Sequence, residues 1–489
     1  MDKRKISLLL LAFFLTTIIT AACSNAKNTT AEDTTSDTSV AETTAESSGY
    51  NATNVLDNYE SVDYGGYKLT ILTSNDINSS LPARTAPDDT LTGDIVNDAL
   101  YNRDRTIEEK YNITISYMLA PYDGSDILNM AKKSITAGDD EYGFIIGDIA
   151  NVCTGLVNGY AADMATVPNL DFDKPWWNSY INTSTKIAGH NFYAVGDISP
   201  RNMSSAYIMM FSLDLFDDYG FTYPYQDARD GNWTLDNMSN LIKGTASDLD
   251  GDSKMTLKDF YGMISDGTAG WCMYIGCGGS FVQLDEDNML KVSCNTDEAE
   301  SIVAKLGSFF ESSDIDKLTD TLYGPGERFM NKQGLFLPYT AVNLSMFTDC
   351  EMDFGILPMP KLDEAQENYR TFANFWCLAG VVIPKTSGNL ERTGMLIEAM
   401  TALSRYTSTE AAYDITLLVK QTRDEASIEM LKLATDNLVL ELGALYDWGN
   451  LKELMEDSLR NNTSFQPKFA KIESKVNTEI DKLIETYTK

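Results

Sequence analysis

The stretch DLDGDSKMTLKD, Asp248 to Asp259, puts carboxylates at the first, third, fifth and twelfth places of a twelve-residue window. Calcium takes about six to eight oxygen ligands in a flexible geometry. Asp248, Asp250 and Asp252 can each give one oxygen, Lys254 a main-chain carbonyl, Thr256 a hydroxyl or a held water, and Asp259 one or two oxygens. The pattern departs from a helix–loop–helix calcium site in two places. Glycine is fourth rather than sixth, where Ser253 stands, and the twelfth residue is Asp rather than the longer Glu. No paired partner loop is visible, which argues against a calcium sensor. A structural Ca2+ is expected here. The alternative is a solvated acidic turn capped by its own Asp side chains.

Other chemistry is excluded more easily. His190 is the only histidine, so a His metal cluster is absent and a Ser–His pair would need that one residue. His190 sits in AGHNFYAVGD, where a turn residue is the simpler reading. There is no GxSxG elbow and no phosphate loop. Pairs of carboxylates are inevitable among 72 acidic residues and diagnose nothing. The net charge of −34 opposes nucleic acid, whose binding rests on neutralising phosphates.

The chain start sets the compartment. Lys3, Arg4 and Lys5 precede an apolar run, Ile6 to Ile19, and then Thr20-Ala-Ala-Cys23. This is an export signal, too short for a comfortable membrane span. Small residues ending in Cys resemble a bacterial lipobox, although Thr20 replaces the usual branched apolar residue. Residues 1–22 are expected to be removed and Cys23 lipidated, with two acyl chains sufficient for stable attachment. A protein cut after Ala22 and released is the alternative. Residues 23–60, rich in Ser, Thr, Asp and Glu, cannot bury enough apolar surface to offset ordering and read as a tether. The expected location is the outer face of the bacterial cytoplasmic membrane. Six further cysteines lie at wide, irregular spacing without a CxxC; one or two bridges or buried thiols both fit.

The body has to position any site. Tyr67–Leu72, Ile113–Tyr117 and Tyr142–Ile146 read as strands. Amphipathic helices, Asp94–Tyr111 and Asp126–Ala137, fall between them. Strand–helix alternation implies a largely parallel sheet, whose ligands bind at the carboxyl ends of strands. That nominates Ser74, Asn75, Asp76 and Asp148, although Asp148 equally fits a helix cap and Asn75 and Asp76 fit a turn. Further strands are expected at Phe192–Val195, Phe354–Pro358 and Phe375–Ile383. A capped helix is expected from Trp233-Thr-Leu-Asp236, a helix at Ala299–Phe310, and mostly helix after Leu390.

Several stretches, in order, resemble the extracellular solute-binding proteins of carbohydrate ABC importers, the family that includes maltose-binding protein. They are TGDIVNDALYNRDRTIEEKYNI, GHNFYAVGD, GNWTLDNM, FMNKQGLFLPY with DFGILPMPKLDEAQENY, FWCLAGVVIPKTS and RDEASIEML. The likeness runs from about Leu69 to the C-terminus. It implies an α/β, two-lobed, periplasmic-binding-protein-like (type II) fold with a hinge, an inter-lobe cleft and a helical C-terminal part. Lobe 1 would hold 61–196 and 378–405, and lobe 2 would hold 197–377 and 406–489. It implies a carbohydrate ligand, an ABC permease partner, no nucleic acid, a monomer and no catalysis. It places Trp271, Trp448, Tyr339, Asn343 and Trp376 at the cleft, where aromatic faces suit sugar C–H faces and polar groups suit hydroxyls. For each Trp the alternative is a core role. Trp176, Trp177 and Trp233 read as packing residues. The rival functions are an anchored glycoside hydrolase using two carboxylates and a non-transport receptor for another polar solute.

Overall fold

The alternation expected between Tyr67 and Ile146 is realised strand by strand. The computed structural model describes residues 49–75, 84–122, 124–317, 324–348, 350–418 and 425–489, without the side chains of 414–418. The expected signal peptide, Cys23, the tether up to residue 48 and Asp76 lie outside the described residues. In chain order the strands are β1 Tyr67–Thr73, β2 Ile113–Leu119, β3 Phe144–Asp148, β4 Tyr207–Ser212, β5 Tyr261–Met263 and β6 Val282–Leu284. They continue as β7 Leu290–Val292, β8 Gly334–Thr340, β9 Phe354–Leu357, β10 Thr371–Phe372, β11 Ala379–Val382 and β12 Leu438–Val439.

Two four-stranded sheets organise two lobes. The first runs β11-β3-β1-β2, with β1 parallel to β2 and β3, and β11 antiparallel to β3. The second runs β5-β8-β4-β9, with β4 antiparallel to both neighbours. β3 is buried along its whole length, as a central strand covered on both faces must be. Its Phe144 and Ile146 join a cluster with the helices Ile95–Tyr111 and Leu390–Arg405, while Ile145 joins the cluster with the helix Ser125–Ala137. That is the period of two expected of a strand. Asp94 caps the first of these helices, accepting from Asn97 N at 2.7 Å, and Gly138 ends the third at φ +81°, a conformation that favours glycine. Thr234 caps the helix Leu235–Ile242 as its motif predicts.

The first lobe begins before Tyr59. Tyr50 meets the edge of Trp176 at 5.7 Å, Val55 is buried, and Tyr59 Oη donates to Glu398 at 3.1 Å. The residues assigned by composition to the end of the tether are therefore packed from Tyr50 onward. Glu398, buried on the helix Leu390–Arg405, also accepts from Trp176 Nε1 and Trp177 Nε1, each at 2.8 Å, and from Asp171 N at 3.2 Å. Trp176 and Trp177 are packing residues, as read from their loop.

Two segments cross side by side between the lobes. Ala194 bridges Val381 in the first lobe and Ala206 bridges Ala373 beside the second. Asn374 N donates to Ser205 O at 2.8 Å and Ala379 N to Asn202 Oδ1 at 2.8 Å. The strand expected at Phe192–Val195 does not form. Pairing is limited to the Ala194–Val381 bridge, while the Asn182 amide takes both main-chain groups of Val195, at 2.8 and 2.9 Å. The strand expected at Phe375–Ile383 shrinks to β11, because Asn374 O accepts from both Cys377 N and Leu378 N and turns the chain first. The helix Ser408–Leu418 packs on Ile95–Tyr111 of the first lobe, one helix beyond the boundary expected at 405, and Glu425–Asp436 packs on β9 of the second. Among the described residues no helix is long and apolar enough to cross a membrane.

Candidate functional site

The turn at Asn374 carries one of the most exposed large apolar side chains among the described residues. Trp376 is 56% exposed, and it sits on a segment that joins the lobes. Its N–H donates to Asn374 Oδ1 at 3.1 Å. The buried Arg201, on the other crossing segment, donates through Nε to Cys377 O at 3.2 Å and through Nη2 to Trp376 O at 3.5 Å. The indole is thus displayed from a backbone held on two sides. Behind it runs a chain of rings. Phe375 lies 4.3 Å from Trp376, Phe372 lies 5.7 Å from Phe375, and Trp271 meets Phe372 edge-on at 4.7 Å.

One cation serves three of these rings. Lys452 Nζ lies 5.3 Å from the centroid of Phe375, 5.6 Å from Trp376 and 5.8 Å from Trp271. Each such contact contributes about 0.5–2 kcal/mol, more as water is excluded. Asp447 fixes the residue from below, accepting Lys452 N at 3.0 Å and standing 3.8 Å from Nζ. Trp271 is held by its own backbone. Its N–H donates to the buried Glu456 at 3.0 Å, and Glu456 accepts Arg460 Nε at 2.8 Å. Gly270 is required beside it, since a Cβ there would lie 2.5 Å from Glu456 Oε2. Asp266 closes the same corner, accepting from Thr268 N and Oγ1 at 2.8 and 2.7 Å and from Tyr207 Oη at 3.1 Å. Burial pushes both carboxyls above the usual range. Of these rings only Trp376 presents an open face, and Phe375, Phe372 and Trp271 are buried behind it. That open face can hold a molecule with C–H faces and hydroxyl edges.

No family model matches the chain, and no curated protein matches it. Solved structures do. A sugar transporter from Rhizobium etli in an open conformation matches with a TM-score of 0.56 at 15% identity, over 84% of this chain and 99% of that one. A cyclo/maltodextrin-binding protein complexed with maltotetraose gives 0.55 at 11% identity, over 84% and 97%. UspC of M. tuberculosis gives 0.54 at 12% identity, over 84% and 99%. This is the two-lobed fold of the sugar ABC substrate-binding proteins.

Within the substrate-binding fold the expected cleft residues separate into groups. Trp271 and Trp376 meet around Lys452, although Trp271 is only 5% exposed and forms a wall rather than an open platform. Trp448 is buried and stacked on Tyr446 at 5.2 Å, next to Asp447. Tyr339 turns into the core, edge-on to Phe347, with Oη 3.9 Å from Met346 Sδ, because β8 is buried along its whole length. Asn343 is half-buried in the 3-10 helix Ala341–Phe347. Asn75 spends its amide on the loop, accepting from Thr85 N and Ala86 N and donating to Ala86 O, all at 3.0 Å. Asp148 is buried and caps the helical segment after β3, accepting Asn151 N at 2.7 Å. Ser74 is buried. What sequence reasoning missed is Lys452, Phe372 and Phe375.

The acidic loop folds on itself. Carboxylate oxygens of Asp248, Asp250 and Asp252 lie within 4.8 Å of one another, as a shared cation requires. Gly251 at φ +74° makes the turn. Asp248 also accepts Gly251 N and Ser253 N at 2.7 Å each. Asp259 is buried and accepts Leu249 N at 2.9 Å and Thr256 N at 2.6 Å, which hold its carboxyl below the usual range. Thr256 Oγ1 donates to Asp259 as well. The three leading aspartates cluster as a hard cation needs, and each of them, like Asp259, also accepts a main-chain N–H of the loop. Lys254 N donates to Asp252 Oδ1 at 2.8 Å.

The hinge carries its own ionic group. Asp197, on a crossing segment, meets Arg405 at 3.3 Å, and Arg405 stands 3.8 Å from Asp436 of the second lobe. Thr409 Oγ1 also donates to Asp197. Burial pushes the Asp197 carboxyl up to about 6, with Arg405 opposing and Asp436 adding to the rise. An unfolded Asp titrates near ~4. The folded chain therefore gains stability from this group that is complete below that value and lost as pH rises through about 6. Asp197→Asn should flatten the pH dependence of the urea midpoint across that interval; an unchanged slope overturns the assignment.

Proposed function

We propose that this protein captures a carbohydrate, an oligosaccharide, between its lobes and hands it to the permease of an ABC importer without turning it over. The observation that carries the reading is the exposed Trp376 ring, displayed on a segment that joins the two lobes and backed by the buried rings that lead to Trp271 around Lys452. A ligand touching both lobes favours the closed arrangement by its extra contacts there. Removal of residues 1–22 and lipidation of Cys23 would keep the protein at the outer face of the membrane as a monomer. The acidic loop would hold a structural Ca2+ through Asp248, Asp250 and Asp252, with Lys254, Thr256 and Asp259 shaping the loop around it.

A thermal-shift screen of the chain from Gly49 onward tests both parts. Ligand that binds only the folded state must raise the melting temperature, by about 2.7 kcal/mol of stabilisation at a hundredfold excess over Kd. Maltotetraose is a suitable first probe, because a structural neighbour holds it. The expected result is a shift with an oligosaccharide that is recovered unchanged. Shifts with another solute class and none with sugars sink the carbohydrate reading, and hydrolysed sugar sinks the non-enzymatic one. Ca2+ should add a separate shift that Asp248→Ala and Asp252→Ala each abolish while the sugar shift persists.

A further inference from the structure

The two lobes also meet beside the crossing segments, along two helices that follow one another in the chain. The helix Ser408–Leu418 packs on the first lobe and Glu425–Asp436 on the second, and the two pack on each other. Three side-chain pairs span the seam between them. Lys432 Nζ lies 3.1 Å from Glu410 Oε2, Arg405 stands 3.8 Å from Asp436, and the hydroxyls of Tyr413 and Thr435 meet. The two ionic pairs are solvent-accessible, and pairs of that kind contribute about 0–1 kcal/mol each. A joint held this way parts at little cost, as a packed core does not.

Asp197 lies at the base of the seam, with 18% of its side chain exposed. A cavity of about 290 Å³ is lined by Asp197 and Arg405 from one side and by Thr435, Asp436 and Leu438 of the second lobe from the other. The second lobe thus supplies part of the cover over Asp197, and a swing of Glu425–Asp436 away from Ser408–Leu418 opens the cavity to water. The surrounding charges are few. Arg405 is shared by Asp197 and Asp436, Thr409 Oγ1 donates to Asp197, and Lys432 and Glu410 face Asp436. Tyr413 adds a phenol to the group. From the loop over the cavity come Asp173, which is exposed, and Lys174, paired with Asp171 at 3.6 Å.

A carboxyl covered in one arrangement and hydrated in another holds its proton more tightly in the first. Protons therefore favour the covered arrangement by linkage, and deprotonation favours the parted one. Charge on Asp197 also competes for Arg405 against Asp436 and sets two carboxylates against each other. We propose that the seam between Ser408–Leu418 and Glu425–Asp436 is a proton-controlled latch on the lobe angle, shut while Asp197 is neutral and loosened once it is charged.

Small-angle X-ray scattering of the ligand-free full chain tests it, with far-UV circular dichroism recorded alongside to show that the fold persists. The radius of gyration should shift reversibly as pH is raised through about 6. Asp197→Asn, whose amide stays neutral, should keep the acid value at every pH. Lys432→Glu sets two acids against each other across the seam and should give the alkaline value on the acid side as well. A wild-type radius of gyration that ignores pH overturns the proposal. So does a pH response in Asp197→Asn equal to that of the wild type, or a wild-type profile in Lys432→Glu. No ligand enters the measurement, so its outcome is independent of the carbohydrate reading.

Discussion

Replacing Trp376 with Ala should weaken oligosaccharide binding by about thirtyfold or more, the effect of removing a ~2 kcal/mol hot-spot aromatic. The same change should leave the urea midpoint nearly unmoved. Trp376 is 56% exposed, so little of its area is buried on folding. Its backbone is fixed by Arg201 and Asn374, which the substitution does not touch. Trp271→Ala should behave differently. That ring is 5% exposed and packs on Phe372, so its loss opens a cavity and lowers stability together with affinity. Titration calorimetry beside a denaturation curve separates the two. Unchanged affinity in Trp376→Ala would remove the ring wall from the binding site.

Glu398→Ala should destabilise the first lobe by about 3 kcal/mol or more. Four donors, Trp176 Nε1, Trp177 Nε1, Tyr59 Oη and Asp171 N, converge on its two oxygens in a buried site. Each buried donor left without a partner costs about 1–3 kcal/mol. Glu398→Gln should recover only part of the loss. It keeps one acceptor oxygen, but its amide then faces an indole N–H that can only donate. Urea unfolding followed by tryptophan fluorescence reads both variants. A Gln variant as stable as the wild type would show that the carboxylate's second oxygen is dispensable.

The contrast between these two sites explains what could be read in advance. The first lobe was legible because its information is local: Asp94 and Gly138 bound their helices, and the apolar runs at Tyr67, Ile113 and Phe144 alternated with those helices. The packing role of Trp176 and Trp177 was also readable from their loop. Tyr339 was not, because β8 is buried on both faces and a one-residue change of register exchanges Tyr339 for Thr340. The ring wall draws on residues 271, 372, 375, 376 and 452, which only tertiary folding brings together, and nothing near Lys452 in sequence marks it as their shared cation. The crossing segments misled for another reason. Asn182 and Asn374 redirect main-chain hydrogen bonds that the apolar runs alone would assign to strands.

The docking of Tyr50, Val55 and Tyr59 on the first lobe has a mechanical consequence. A pull applied at Gly49 would reach the body through the Tyr59–Glu398 contact and the rings around Trp176, all within one lobe. The crossing segments near Ala194–Ala206 and Ala373–Val381 lie outside that load path. A pull applied at Gly49 would therefore load the first lobe before the hinge.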